Sequence, residues 1–182
     1  MQIQRSLAIT LSCIAILWAV YFVGLVLPVD IRIYGIRPRR IDGLPGLIFS
    51  PFLHFGLRHL LSNTLALAPL LFFSLTYSIR LTMKAVIIIA LIGGAGVWLF
   101  GQSHTVHIGS SGIAFGLIGY LLAIGLFRKE LLAVLVSCVV AFYYGWVLYS
   151  LVAVLPGVSW TGHFFGFASG VLAAWSMKQE RQ

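Results

Sequence analysis

Six long apolar runs alternate with short polar breaks along the chain, at about 7–27, 59–79, 85–100, 108–127, 131–155 and 160–177. A helix needs about 20 mostly apolar residues to cross the hydrocarbon core of a bilayer, and the runs approach that length. The breaks carry the residues that end helices or anchor them at a membrane surface. Pro28 and Asp30 follow the first run, Arg80 and Lys84 the second, Arg128-Lys129-Glu130 the fourth and Pro156-Gly157 the fifth, and Lys178 opens a polar tail. The pattern predicts an all-α membrane protein, a six-transmembrane-helix bundle forming a single domain over 1–182. The first run is too long for a signal-peptide core and has no small-residue cleavage site behind it, so it is read as a retained helix. One long loop, 29–53, mixes Arg32, Arg37, Arg39 and Arg40 with Ile, Leu, Tyr and Phe. It is predicted to lie in the headgroup layer, with guanidinium groups on lipid phosphates.

Composition supports this reading. Of 182 residues, 60% are hydrophobic and only 9% charged, where a soluble domain carries about 25% charged residues. The net charge of +8 comes from Lys and Arg scattered at the ends of apolar runs, which points to membrane anchoring and away from nucleic acid. The four acidic residues, Asp30, Asp42, Glu130 and Glu180, all fall in loops, at span boundaries or in the tail. No carboxylate lies within a span. That excludes a paired-aspartate intramembrane protease and a His-Glu-x-x-His metalloprotease, and it argues against a transporter with a buried carboxylate relay. Cys13 and Cys138 sit in apolar runs, so neither a disulfide framework nor a metal site is expected, and no cofactor is implied.

With the N-terminus in the cytoplasm, Arg5, Arg80, Lys84, Arg128, Lys129, Lys178 and Arg181 lie inside, against Arg32, Arg37, Arg39, Arg40 and Arg58 outside. Both connectors that lack Lys and Arg, 101–107 and 156–157, then face out. Both termini are expected inside, in a prokaryotic cytoplasmic membrane.

In this orientation the even-numbered spans run inward, and each carries polar groups near its start: His59 and Asn63, Ser111, and His163. Ser111 stands in the stretch Ile108 to Tyr120, IGSSGIAFGLIGY, where Gly109, Ser110 and Gly112 leave its hydroxyl unshielded. Such a serine is a candidate nucleophile, although small residues at membrane helix interfaces also serve packing alone. Gly162, Gly166 and Gly170 recur every four residues beside His163, and Gly112 and Gly116 do the same beside Ser111. Two such faces bring backbones close and place a neutral imidazole within reach of the hydroxyl, the relation of a general base to a nucleophile. His59 and Asn63, at i and i+4, share a helix face, where they either hydrogen-bond each other or donate, with the Ser111 backbone N–H, to a tetrahedral oxyanion. His104 and His107, in the connector before Ser111, are second-choice bases.

Three linked motifs carry a family resemblance: Phe52-x-His54-x4-His59-x3-Asn63; Gly109-Ser110-Ser111-Gly112 running into Phe115-x3-Gly119-Tyr120; and Gly162-His163-x2-Gly166-x3-Gly170. From about 51 to 175 the chain resembles the rhomboid family of intramembrane serine proteases. The resemblance implies a rhomboid-like bundle with Ser111 as nucleophile and His163 as base, a dyad without an acidic third member. It also implies an oxyanion hole of His59, Asn63 and the Ser111 backbone. His54 would support the first loop, Phe115 would form an aromatic platform under the base, and Gly166 and Gly170 would make the close contact between spans four and six. The implied activity is cleavage of transmembrane substrate proteins near the outer face. The alternative is an inactive rhomboid-like protein that binds transmembrane helices. The first loop lacks the Trp-Arg pair of many relatives, and Ser78-Ile79-Arg80 stands where an acidic residue often follows span two.

Overall fold

The computed structural model describes residues 1–151 and 159–180. The predicted end of the fifth span, the Pro156-Gly157 connector and Arg181 fall outside the described residues. The helices that organise the bundle are α1 (Gln2–Val26), α2 (Leu57–Tyr77), α3 (Ile79–Phe100), α4 (Ser111–Arg128), α5 (Leu131–Leu151) and α6 (Trp160–Ser176). The first five are long and apolar enough to cross a membrane. The sequence predicts six such spans. The sixth helix is 17 residues long, a rise of about 26 Å against a hydrocarbon core of about 30 Å.

The third helix begins at Ile79, earlier than its apolar run, because the Ser78 hydroxyl accepts from the Leu81 N–H and caps it. It passes through a π-turn at Ile89–Gly93. The fifth is α-helical only to Tyr144 and continues as a 3₁₀ segment, Gly145–Leu151.

Burial ranks the helices. Two thirds of α4 (67%) is enclosed by protein, against 11% of α1 and of α5. Apolar on all sides, with Leu117, Ile118, Tyr120, Leu121 and Ile124 fully covered, α4 is the central post of the bundle. The large apolar side chains left exposed on α1 and α5, such as Leu11, Phe22, Leu135 and Phe142, belong on the lipid side.

The contact between α4 and α6 is made by backbone. A Cβ on Gly166 would strike the Gly112 carbonyl, one on Gly170 the Gly116 carbonyl, and one on Gly119 the Phe167 carbonyl. Gly116 and Gly162 act differently from the two matching glycine faces the sequence predicts. The space at Gly116 is filled by Ile89 of α3, and Gly162 abuts Ser159.

The first loop is strapped to the connector before α4 and to the end of α3. Ile36 and His107 exchange backbone hydrogen bonds of 3.0 and 2.9 Å. Arg39, at a left-handed φ of 59°, donates from its N–H to the Trp98 carbonyl. Its guanidinium donates to the Leu99 and Gly101 carbonyls, both at 2.9 Å, and to Ser103. The Trp98 indole returns a bond to the Arg40 carbonyl at 2.8 Å. The four loop arginines have partners within the protein: Arg32 on Asp30, Arg37 and Arg40 on Asp42, and Arg39 on the end of α3. The hydrogen bond from Arg40, with Arg37 beside it, holds the Asp42 carboxyl at about 2.

At the opposite end, the Arg128 side chain is only 6% exposed. It binds Glu130 at 2.9 Å and the carbonyls of Met177 and Glu180. Glu180 pairs with Lys84 and Arg80, and the Tyr77 hydroxyl donates to Glu130. Glu130 and Glu180 thus supply carboxylates at the end of the bundle where none follows span two.

Substituting Gly170→Val is expected to destabilise the protein by about 2 kcal/mol or more, the scale of overpacking a tight contact. Gly145→Ala, with nothing within 4 Å of the added carbon, is expected to leave stability within about 0.5 kcal/mol. Denaturant unfolding of both variants in micelles checks the pair.

Candidate active site

Ser111 opens α4. The chain reaches it through Gly109, whose φ of +115° suits only glycine, and whose N–H donates to the Ser50 carbonyl at 2.9 Å. A Cβ at Gly109 would also lie 2.7 Å from His59 Nε2 and 3.5 Å from Asn63 Nδ2. The absence of a side chain there is what lets α2 bring both donors against the start of α4.

The orientation of those donors follows from their hydrogen bonds. Asn63 Nδ2 donates to the His59 carbonyl at 2.9 Å, which uses one amide hydrogen and leaves one. The Phe55 N–H donates to His59 Nδ1 at 3.4 Å, so the imidazole proton belongs on Nε2, the nitrogen beside Gly109. The two side chains do not satisfy each other. Each is anchored to backbone.

His163 lies in the first turn of α6, capped by Ser159, whose hydroxyl accepts from the Gly162 N–H at 3.1 Å. The imidazole is buried and stacks on Phe115, ring centroids 3.9 Å apart and planes 15° from parallel. Its Nδ1 sits 3.3 Å from the Ser150 hydroxyl. Beside it, Gly112 and the Gly162 carbonyl approach so that an added Cβ would be 3.5 Å away. No hydrogen bond joins Ser111 to His163 among the described residues, but both line one cavity of about 850 Å³ together with His59, Asn63 and Phe115. Catalytic hydrogen bonds in an empty site are often long and tighten when substrate binds.

The two second-choice bases fare differently. His107 has both ring nitrogens occupied, Nε2 by Thr105 at 2.9 Å and Nδ1 by Ser159 at 2.7 Å, and burial lowers its pKa. It ties the connector before α4 to the cap of α6. His104 is exposed at a left-handed φ of 63°. His54 is buried against His59, ring centroids 5.1 Å apart, with Nδ1 on the Phe52 carbonyl.

Sequence reading missed three serines of the site: Ser50, Ser150 and Ser159. Ser159 immediately ahead of an apolar run is a helix-start signal that could have revealed the third. Ser150 lies in an apolar run and Ser50 acts through its carbonyl, so neither leaves such a trace.

The fold and site define an integral membrane protein with a serine, two donors and a stacked histidine around one cavity. The family model of the Rhomboid domain matches residues 42–180. The chain is 38% identical over 173 residues to "Uncharacterized protein Rv1337" of Mycobacterium tuberculosis, covering 91% of this chain and 72% of that protein. It is 30% identical over 148 residues to "Putative rhomboid protease YdcA" of Bacillus subtilis, covering 75% and 68%. The chain belongs to the rhomboid family.

Burial, and next to it the neighbouring His59, brings the His54 pKa down to about 4 from an ordinary 6.5. Between these values the unfolded chain binds the proton and the folded one does not. Stability is therefore complete above about pH 6.5 and falls as pH drops toward 4, by up to about 3 kcal/mol. Unfolding at pH 7 and pH 4.5 of the wild type and His54→Gln is expected to show a smaller pH effect in the variant.

Proposed function

We propose that this protein is an intramembrane serine endopeptidase that cleaves transmembrane segments of membrane proteins near the outer face. The observation that carries the reading is the convergence of Ser111, His163, His59 and Asn63 on one cavity, in a chain without a carboxylate inside any of its spans. Ser111 Oγ attacks the substrate carbonyl while His163 Nε2 takes its proton. The proton then passes to the leaving amine as the peptide C–N bond breaks, leaving an acyl-enzyme on Ser111. Water gives its proton to His163 and attacks the ester, releasing the new carboxyl end and returning the hydroxyl to Ser111. His59 Nε2–H, Asn63 Nδ2–H and the Ser111 N–H donate to the oxyanion of both tetrahedral intermediates.

The site sits at the outer end of a bundle in which α6 is the sixth span, both termini are cytoplasmic and the whole chain works as one domain. The membrane is a prokaryotic cytoplasmic one. A helical peptide bond is hidden in its own hydrogen bonds, so the substrate must unwind where it is cut. A second cavity of about 50 Å³ beside Ser111, bounded by Gly109, Gly112 and Gly162, fits a small side chain at the cut.

With a purified substrate carrying a transmembrane helix, Ser111→Ala and His163→Ala are expected to abolish cleavage. Asn63→Ala is expected to lower kcat about 10²-fold, the scale of one oxyanion donor. A fluorophosphonate probe is expected to label Ser111 in the folded wild type. Cleavage unchanged in Ser111→Ala refutes the assignment, and a folded wild type that neither cleaves nor takes the label is instead a rhomboid-like helix-binding protein.

A further inference from the structure

The dyad assigned above has no acidic residue to orient its base, yet the imidazole still needs its proton on the right nitrogen. His163 has two, and only a neutral ring with a bare Nε2 can accept from Ser111. The relevant contact comes from α5. The Ser150 hydroxyl donates to the Val147 carbonyl at 2.8 Å, an i to i−3 bond within the 3₁₀ segment. A hydroxyl has one hydrogen, so with that hydrogen committed the oxygen facing His163 Nδ1 at 3.3 Å offers only lone pairs. The bond between them forms when Nδ1 carries the proton.

We infer that Ser150 is the positioning residue of this enzyme, accepting from the Nδ1–H of His163 and thereby holding the imidazole in the tautomer whose Nε2 is free to act as base. This rests on the dyad proposed above and deepens it. Phe115 stacked on the ring face fixes its plane, and Ser150 fixes its rotation within that plane. The neighbouring residue adds a second tie, because the Trp160 indole donates to the Leu151 carbonyl. Two successive residues at the outer end of α5 are thus bonded to the first turn of α6, and the geometry of the base follows the position of α5.

The test needs a readout apart from activity. In protein labelled with ¹⁵N at histidine, with the His163 signal assigned by its loss in His163→Ala, the wild type is expected to carry the proton on Nδ1 at neutral pH. Ser150→Ala is expected to show a mixture of tautomers and a kcat five- to tenfold lower, on the order of one neutral hydrogen bond, with KM unchanged. Ser150→Thr, which keeps the hydroxyl, is expected to restore both. A wild-type proton on Nε2, or a Ser150→Ala protein with unchanged tautomer and kcat, overturns the inference while the Ser111 assignment stands. Cleavage that survives in Ser111→Ala overturns the dyad instead, and a fluorophosphonate adduct on Ser150 in place of Ser111 overturns both.

Discussion

The approach of α4 to α6, backbone against backbone, is the constraint on which the rest of the structure depends. Within a bilayer there is little hydrophobic gain in pressing one apolar helix on another, so association relies on close packing and on polar contacts. Gly166 and Gly170 permit that packing by presenting bare Cα atoms to the carbonyls of Gly112 and Gly116. The same contact sets the first turn of α6 beside the first turn of α4, and these turns carry His163 and Ser111. A wider separation would move the imidazole off Phe115 as well, since Phe115 belongs to α4 and the ring it supports to α6.

Around this pair, several polar groups that a bilayer would penalise are satisfied by neighbouring residues. The Arg39 guanidinium serves the last carbonyls of α3, where the helix has no internal partners left. His107 joins the connector before α4 to the cap of α6, and the Gly109 N–H joins the same connector to Ser50 of the first loop. The loop is therefore part of the site's scaffold. It fastens the approach to Ser111 from one side while α6 fastens it from the other.

Much of this was legible in the sequence because membrane helices leave long, simple traces. Apolar run length marked the spans, and the matching depth of His59, Asn63, Ser111 and His163 brought together residues that do share a cavity. What escaped was of two kinds. Interactions through backbone atoms, such as the carbonyls that receive Arg39, depend on where one helix ends relative to another loop, and side-chain identity does not record that. Local departures from α-geometry, the π-turn at Ile89–Gly93 and the 3₁₀ turn that aims Ser150, arise from tertiary packing and look like uninterrupted apolar helix. The glycines show the same limit. Their four-residue spacing identified a close contact, but Gly116 meets α6 only through its carbonyl, and the space where its side chain would stand is filled by Ile89 of α3.

The pairing of the carboxylates reaches beyond the fold. Asp30, Asp42, Glu130 and Glu180 are all in ion pairs, and they are the four acids the chain possesses. No internal anion is left to balance the net +8, so its counterions must come from the surroundings. Dissolved anions supply part of them, and anionic lipid headgroups attract each basic residue near the surface by about 1 kcal/mol, an effect that fades within a Debye length. The lipid composition and ionic strength around this protein thus complete its charge balance.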